Sequence, residues 1–347
     1  MVNRRTLSQL RAAFPSLWRP ALVSLALLAC LAGCGVAGTS TKSSLHPFTV
    51  GLTYVPNIQF APFYVAEALG YYRSAGLDVT LRHQGLSEGE FNAIAAGQED
   101  LIFAGGDEIL QANSKNIPLT YVAEVYTAYP VALIVPANSP IHTAADLRGH
   151  SIGVPGLYGT SYIALKAMLK DAGLSLSDVN IQSIGYTQPA ALLGHKVDAV
   201  IDYVNDGVTL FQSHNFPVRT LALQQPIISN GIAVRNSILA SRSADVRAFI
   251  KATFKGVEYA IAHPRQAVSL SNGFVPGQSD PTATANAFAT LQATIPFWKR
   301  SDGKPLGYSD PSLWQQMYTF LETQGQLAKP IDVTKVYSNS YISSSSS

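Results

Sequence analysis

Between residues 48 and 203, short β-branched and aromatic runs alternate with segments of helical length, and the alternation starts twice. In the first set, strand-like runs at 48–54, 77–81, 100–104, 119–125 and 131–135 enclose helical segments at 61–70, 88–96 and 107–114. Gly70 and Gly97 stand where the first two of these helices need to stop. The second set opens with Ala144-Ala145-Asp146-Leu147-Arg148-Gly149. It continues through a strand at 151–154, a helix at 161–172, a strand at 181–184, a helix near 188–193 and a strand at 199–203. Repeated βα units bury their apolar faces in a mainly parallel sheet with helices on both sides. Two such sets predict an α/β chain with two sheets. From residue 243 onward the pattern is helical, at 244–263, 280–294 and 312–324, with no strong strand.

The composition suits such a chain. It has 347 residues, 47% hydrophobic and 13% charged, enough apolar material for two domains with real cores. Its formal charge of +2 is misleading, because Arg4, Arg5, Arg11 and Arg19 all precede residue 34. The remainder carries 24 − 4 = 20 basic against 22 acidic residues, which excludes a nucleic-acid partner. Residues 21–33 form an uninterrupted apolar run, too short to span a bilayer and of the length of a signal-peptide core. It ends in Leu31-Ala32-Gly33-Cys34, which resembles the lipobox of bacterial lipoproteins. That resemblance implies a signal peptide at 1–33, lipidation of Cys34 and attachment to the cell membrane on its extracytoplasmic side. A lipid-anchored flexible linker would follow at 34–47, and the serine run 343–347 reads as a disordered tail. Arg4-Arg5 leaves both common export routes open. The two cysteines are Cys30 and Cys34, so disulfides, thiol catalysis and Cys-ligated zinc are not expected in the mature domain.

Enzyme signatures are missing. The seven histidines are scattered, none in a His-Glu-x-x-His spacing, and there is no Gly-x-Ser-x-Gly elbow. The glycines 153, 156 and 159 do not match a dinucleotide fingerprint, and Thr160 stands where a P-loop needs lysine. No catalytic residue, cofactor or metal is therefore expected. Segment 155–161 does follow a strand and open a helix, so its N–H groups and dipole face outward. Ser161 at this helix start reads as an N-cap.

The strings Pro56-Asn57, Ala61-Pro62-Phe63-Tyr64-Val65-Ala66-Glu67-Ala68-Leu69-Gly70-Tyr71-Tyr72-Arg73 and Ala75-Gly76-Leu77-Asp78-Val79 resemble the opening of the thiamine-pyrimidine/sulfonate class of ABC-transporter solute-binding proteins. Ala145-Asp146-Leu147-Arg148-Gly149-His150-Ser151-Ile152-Gly153-Val154-Pro155-Gly156 and Gly194-His195-Lys196-Val197-Asp198-Ala199-Val200 resemble later segments of that class. The resemblance covers about residues 48–330. It implies a two-lobed periplasmic-binding-protein fold of the second topological type, with the ligand in the interlobe cleft. One lobe would hold 48–135 and 232–342, the other 136–231, with hinge crossings near 134–135 and 231–232. It also implies an ABC permease and its ATPase as partners.

Within the class, pyrimidine binders resemble Asp-Trp-x-Pro-Asn where this chain has Thr53-Tyr54-Val55-Pro56-Asn57. The segments 56–66, 105–108, 153–162, 184–188 and 202–206 look more like riboflavin-binding lipoproteins. Riboflavin is therefore the expected ligand, with a thiamine pyrimidine precursor or an alkylsulfonate as the alternative. Eukaryotic pyrimidine synthases of the same family carry a Cys-rich stretch that is not found here. An isoalloxazine needs aromatic walls and amide or carboxyl edges. Candidate walls are Tyr54, Phe60, Tyr126, Tyr129, Tyr158, Tyr186 and Tyr203, and candidate edges are Asn57, Gln59, Gln188, Asn205 and Asp206. Gly156 and Gly159 would bring backbone close to a ligand, with Thr160 and Ser161 beside them. Asp107 reads as an N-cap or a cleft residue, and Glu108 as pointing into the cleft. Any one of these tyrosines also fits a core position; what singles them out is clustering at expected C-terminal strand ends.

Overall fold

In strand β1 (His46–Leu52) Phe48, Val50, Gly51 and Leu52 are buried, and its neighbours close over both faces. The computed structural model describes residues 45–85 and 91–342. The expected signal peptide, Cys34, most of the linker, the tail 343–347 and part of the expected helix 88–96 lie outside the described residues.

The remaining strands are β2 (Leu77–His83), β3 (Leu101–Gly105), β4 (Leu119–Glu124), β5 (Val131–Pro136), β6 (Ser151–Val154), β7 (Asn180–Ser183), β8 (Ala199–Tyr203), β9 (Val218–Ala222) and β10 (Asn230–Arg235). The helices are α1 (Ala61–Ala68), α2 (Tyr71–Ser74), α3 (Asn92–Ala95), α4 (Gly106–Ser114), α5 (Gly159–Asp171), α6 (Gln188–Leu193) and α7 (Val204–Ser213). Four more follow the last strand: α8 (Asn236–Ala262), α9 (Pro264–Ser271), α10 (Pro281–Trp298) and α11 (Pro311–Thr323).

The strands make two five-stranded sheets, ordered β2-β1-β3-β10-β4 and β7-β6-β8-β5-β9. The two orders are the same arrangement. In each sheet four strands point one way and the fourth in line is reversed: β10 is antiparallel to β3 and β4, and β5 to β8 and β9. Each reversed strand is the first laid down after the chain crosses between the lobes.

Period-2 alternation explains how both sheets bury two faces. In β3, Leu101 and Phe103 join the core beneath α1, α8 and α10, while Ile102 and Ala104 join that of α4 and α11. In β5, Val131, Leu133 and Val135 pack with α5 on one face, and Ile134 packs with Phe211 of α7 on the other.

The two-lobed α/β expectation agrees with this architecture, but four details of the sequence reading change. β5 was expected to close the first lobe, yet its backbone pairs with β8 and β9. The crossings therefore run through 125–130 and 223–229. β9 and β10 carried no strand signal: β9 is a short, half-exposed edge strand, and Asn230-Gly231 imitates a turn although both residues lie buried in β10. Pro264 looks like a helix stop but is the first residue of α9, where its missing N–H costs nothing. Finally, the helix beginning at 244 starts earlier, at Asn236, with a kink at Arg242 (φ −136°).

Candidate ligand-binding cleft

The C-terminal ends of the parallel strands of both sheets face one another across a cleft, the place where open α/β sheets receive ligands. The cleft encloses about 860 Å³, part of it open to solvent. The first lobe contributes Thr53 and Tyr54 after β1, Gln59 and Phe60, Gln84 and Gly85 after β2, Phe103, Glu108 of α4, Tyr126 after β4 and Asn230. The second contributes Pro155, Tyr158, Gly159, Thr160 and Ser161 around the start of α5, Tyr186 and Gln188 after β7, Asp202 and Tyr203 at the end of β8, and Asp206 of α7. Of the expected site residues, Tyr54, Gln59, Phe60, Glu108, Tyr126, Tyr158, Gly159, Thr160, Ser161, Tyr186, Gln188, Tyr203 and Asp206 are among them.

Asn57, Asp107, Tyr129, Gly156 and Asn205 do not line the cleft, and each has a physical reason. Asn57 caps the short turn Ile58–Phe60 through the Gln59 N–H, and its Nδ2 donates to Asp206 Oδ2 at 3.0 Å. Asp107 is fully buried beneath the cleft, not an N-cap; Gly105 holds that position. Tyr129 is turned to Thr160, with Oη 2.7 Å from Thr160 Oγ1. Gly156 makes room for a side chain: a Cβ there would fall 2.3 Å from the Tyr158 ring. Asn205 donates to Thr294 Oγ1 of α10 at 2.8 Å. Ser161 is no cap either, since α5 already begins at Gly159, whose φ of +72° turns the chain from Tyr158 into the helix.

Sequence reasoning missed Thr53, Gln84, Gly85, Phe103, Pro155, Asp202 and Asn230 as lining residues. Asp202 had a usable signal, a polar residue at the cleft end of an expected strand, whereas Asn230 opens a strand that carries none. Gln84, just after the half-exposed strand β2, had none.

Several contacts close the lobes on each other, the Asn205–Thr294 bond among them. Thr160 Oγ1 donates to Asp107 Oδ2 at 2.6 Å, and the Thr160 N–H donates to Glu108 Oε1 at 2.9 Å. The Asn57–Asp206 bond forms another. The rings of Tyr54 and Tyr186 meet edge to face, 4.4 Å between centroids. Tyr203 Oη also donates to Asn230 Oδ1 at 3.2 Å.

The electrostatics is acidic, and several of the carboxyls are buried. Burial, with Asp206 beside it, pushes the Asp202 carboxyl up to about 8. Burial also raises Asp206, against the opposing bonds from Thr290 and Asn57. Asp107 rises through burial first and the neighbouring Glu108 second. Tyr54 is raised by burial and then by Asp202 and Asp206. Among the described lining residues there is no Lys, Arg or His. Such a cleft offers aromatic faces, amide edges and carboxyls able to hold a proton in a hydrogen bond.

Two sheets of this order, facing across a cleft at their strand ends, define the periplasmic-binding-protein fold. The chain belongs to the NMT1/THI5-like family, whose model matches residues 57–267. It is 32% identical to the riboflavin-binding protein RibY of Chloroflexus aurantiacus over 87% of this chain and 88% of that one. It is 24% identical to the formylaminopyrimidine-binding protein of Halalkalibacterium halodurans, over 89% and 94%. In structure it is similar to the periplasmic aliphatic sulphonate binding protein SsuA of Escherichia coli, with TM-score 0.65 and 16% identity, covering 84% of this chain and 92% of that one. The protein is thus a solute-binding protein by family and fold.

Proposed function

We propose that the protein captures riboflavin outside the cytoplasm and delivers it, chemically unchanged, to an ABC permease driven by its ATPase. The observation that carries this reading is the lining itself: seven aromatic rings with Gln59, Gln84, Gln188 and Asn230 at their edges, and no cation among the described lining residues. A tricyclic imide needs stacking surfaces for its faces and paired donors and acceptors for its edge. Carboxyls such as Asp202 and Asp206 suit the hydroxyls of a ribityl chain. An alkylsulfonate would instead want cationic partners. The likeness to RibY over most of both chains points the same way. Membrane attachment through Cys34 belongs to this reading, and among the described residues no helix is long and apolar enough to cross a bilayer.

One observation favours a second ligand. Asp202 lies buried beside Tyr54, so a carboxyl is available to an aminopyrimidine although the segment 53–54 carries none. Titrating the purified protein against riboflavin, an aminopyrimidine and an alkanesulfonate separates the readings. Saturable quenching of flavin fluorescence at micromolar protein is expected. Its absence, with binding of the aminopyrimidine, would replace flavin by pyrimidine. Turnover of the bound ligand would refute the receptor reading.

A further inference from the structure

We infer that Glu108 sets the charge selectivity of the cleft, so that a neutral ligand is accepted while its phosphate ester is rejected. The inference deepens the flavin reading and rests on it for its first test.

An exposed helix N-terminus at the edge of a ligand cleft attracts anions, because its first N–H groups lack intrahelical partners and the dipole is positive there. The 13-residue helix α5 begins at such a place, with Gly159, Thr160 and Ser161 lining the cleft. Its N–H at Thr160 is already taken. Glu108, from the other lobe, accepts it through Oε1 at 2.9 Å. Through Oε2 it accepts the Gly105 N–H at 2.7 Å, which fixes the carboxylate from its own side. Glu108 is 5% exposed and still borders the cleft. The protein thus seats its own carboxylate where a ligand's anionic group would otherwise be held, whenever the lobes are closed as seen here.

The surroundings reinforce this. Asp206 borders the same space, and no described lining residue brings a positive charge. Part of the space is open to solvent, so volume does not decide between a vitamin and its phosphate. Charge does. Like charges held about 5 Å apart at a protein-like dielectric separate two such ligands by on the order of 100-fold.

The test compares riboflavin with riboflavin 5′-phosphate by fluorescence titration of the wild-type protein and of Glu108→Gln and Asp206→Asn. Wild type should bind the phosphate at least about 100-fold more weakly, and Glu108→Gln should narrow that ratio to within about tenfold. The ratio is a readout that a purely structural role for Glu108 would leave alone. If Glu108→Gln does not fold, Asp206→Asn, which keeps the bonds of Glu108, should narrow the ratio in the same direction. Equal wild-type binding of both flavins overturns the inference and leaves the flavin reading standing. A wide ratio that neither variant narrows also overturns it. If no flavin binds, the flavin reading fails, and a hydroxymethyl-aminopyrimidine with its phosphate ester decides the charge inference by the same ratio. Failure of both pairs overturns both.

Discussion

Replacing Thr160 by valine keeps the volume of the side chain and removes its hydroxyl, which lies at the point where the lobes meet. That hydroxyl donates to Asp107 Oδ2 at 2.6 Å and lies 2.7 Å from Tyr129 Oη. The first bond reaches a fully buried carboxyl, and losing a bond to such a group costs about 1.5–3 kcal/mol. The second is neutral and worth about 0.5–1.5 kcal/mol, partly recovered because Tyr129 Oη also reaches Thr160 O at 3.3 Å. In an open form water would satisfy all three groups, so the loss falls on closure. About 2–4 kcal/mol corresponds to a roughly 30- to 1000-fold shift toward the open form. Apparent affinity falls with the closed fraction. Small-angle scattering with saturating ligand should show Thr160→Val staying expanded at concentrations that compact the wild type, while Thr160→Ser closes normally. A valine variant that compacts and binds like wild type would refute the reasoning, because the Asp107–Thr160 contact would then contribute nothing to closure.

Other outcomes follow from the same structure. Trp314, fully buried and stacked on Tyr337 at 5.2 Å, is not among the cleft-lining residues; Trp314→Ala should cost about 3–5 kcal/mol in denaturant unfolding with ligand affinity unchanged in the folded fraction. Gly256→Ala would set a Cβ 2.0 Å from the Pro62 carbonyl where α8 crosses α1, so its unfolding midpoint should drop by an amount that Gly273→Ala, with open space around it, does not show. Asp202 binds its proton more tightly folded than unfolded, so stability is greatest below the usual carboxylate range and is lost as pH rises toward about 8; the melting temperature should be lower at pH 8.5 than at 5.5, and Asp202→Asn should flatten that slope. Cys34→Ala should move the protein from the membrane fraction to the soluble one or block its processing; unchanged fractionation would remove the anchor from the proposal.

The architecture was legible where alternation was strong. Runs such as 100–104 and 199–203 are buried on both faces and have no other reading in a chain this short of charge. It was illegible where a strand is defined by its neighbours. β10 is buried only because β3 and β4 flank it, and no local signal in Asn230-Gly231 says so. The site followed the same rule. Aromatic residues at or just past strand ends, such as Tyr126, Tyr186 and Tyr203, could be placed from topology alone. The partners of Asn57, Asp107 and Asn205 could not, because each bonds across a sequence distance set by the fold: 149, 53 and 89 residues. Those residues looked like ligand contacts and instead tie lobe to lobe.

The placement of the reversed strands bears on the order in which the chain acquires structure. All strands of the second sheet come from one stretch, 131–222, which can pair as soon as it is available. The first sheet cannot. Its strand β4 pairs with β10, more than a hundred residues later, and its other edge meets residues 307 and 336–338, later still. Until then β3 and β4 present unpaired edges, the kind of surface on which nascent chains stick to one another. An emerging chain of this design therefore has a vulnerable interval that begins to close when residues 230–235 slot between two strands made long before, and a holding factor bound to that edge would be most needed there.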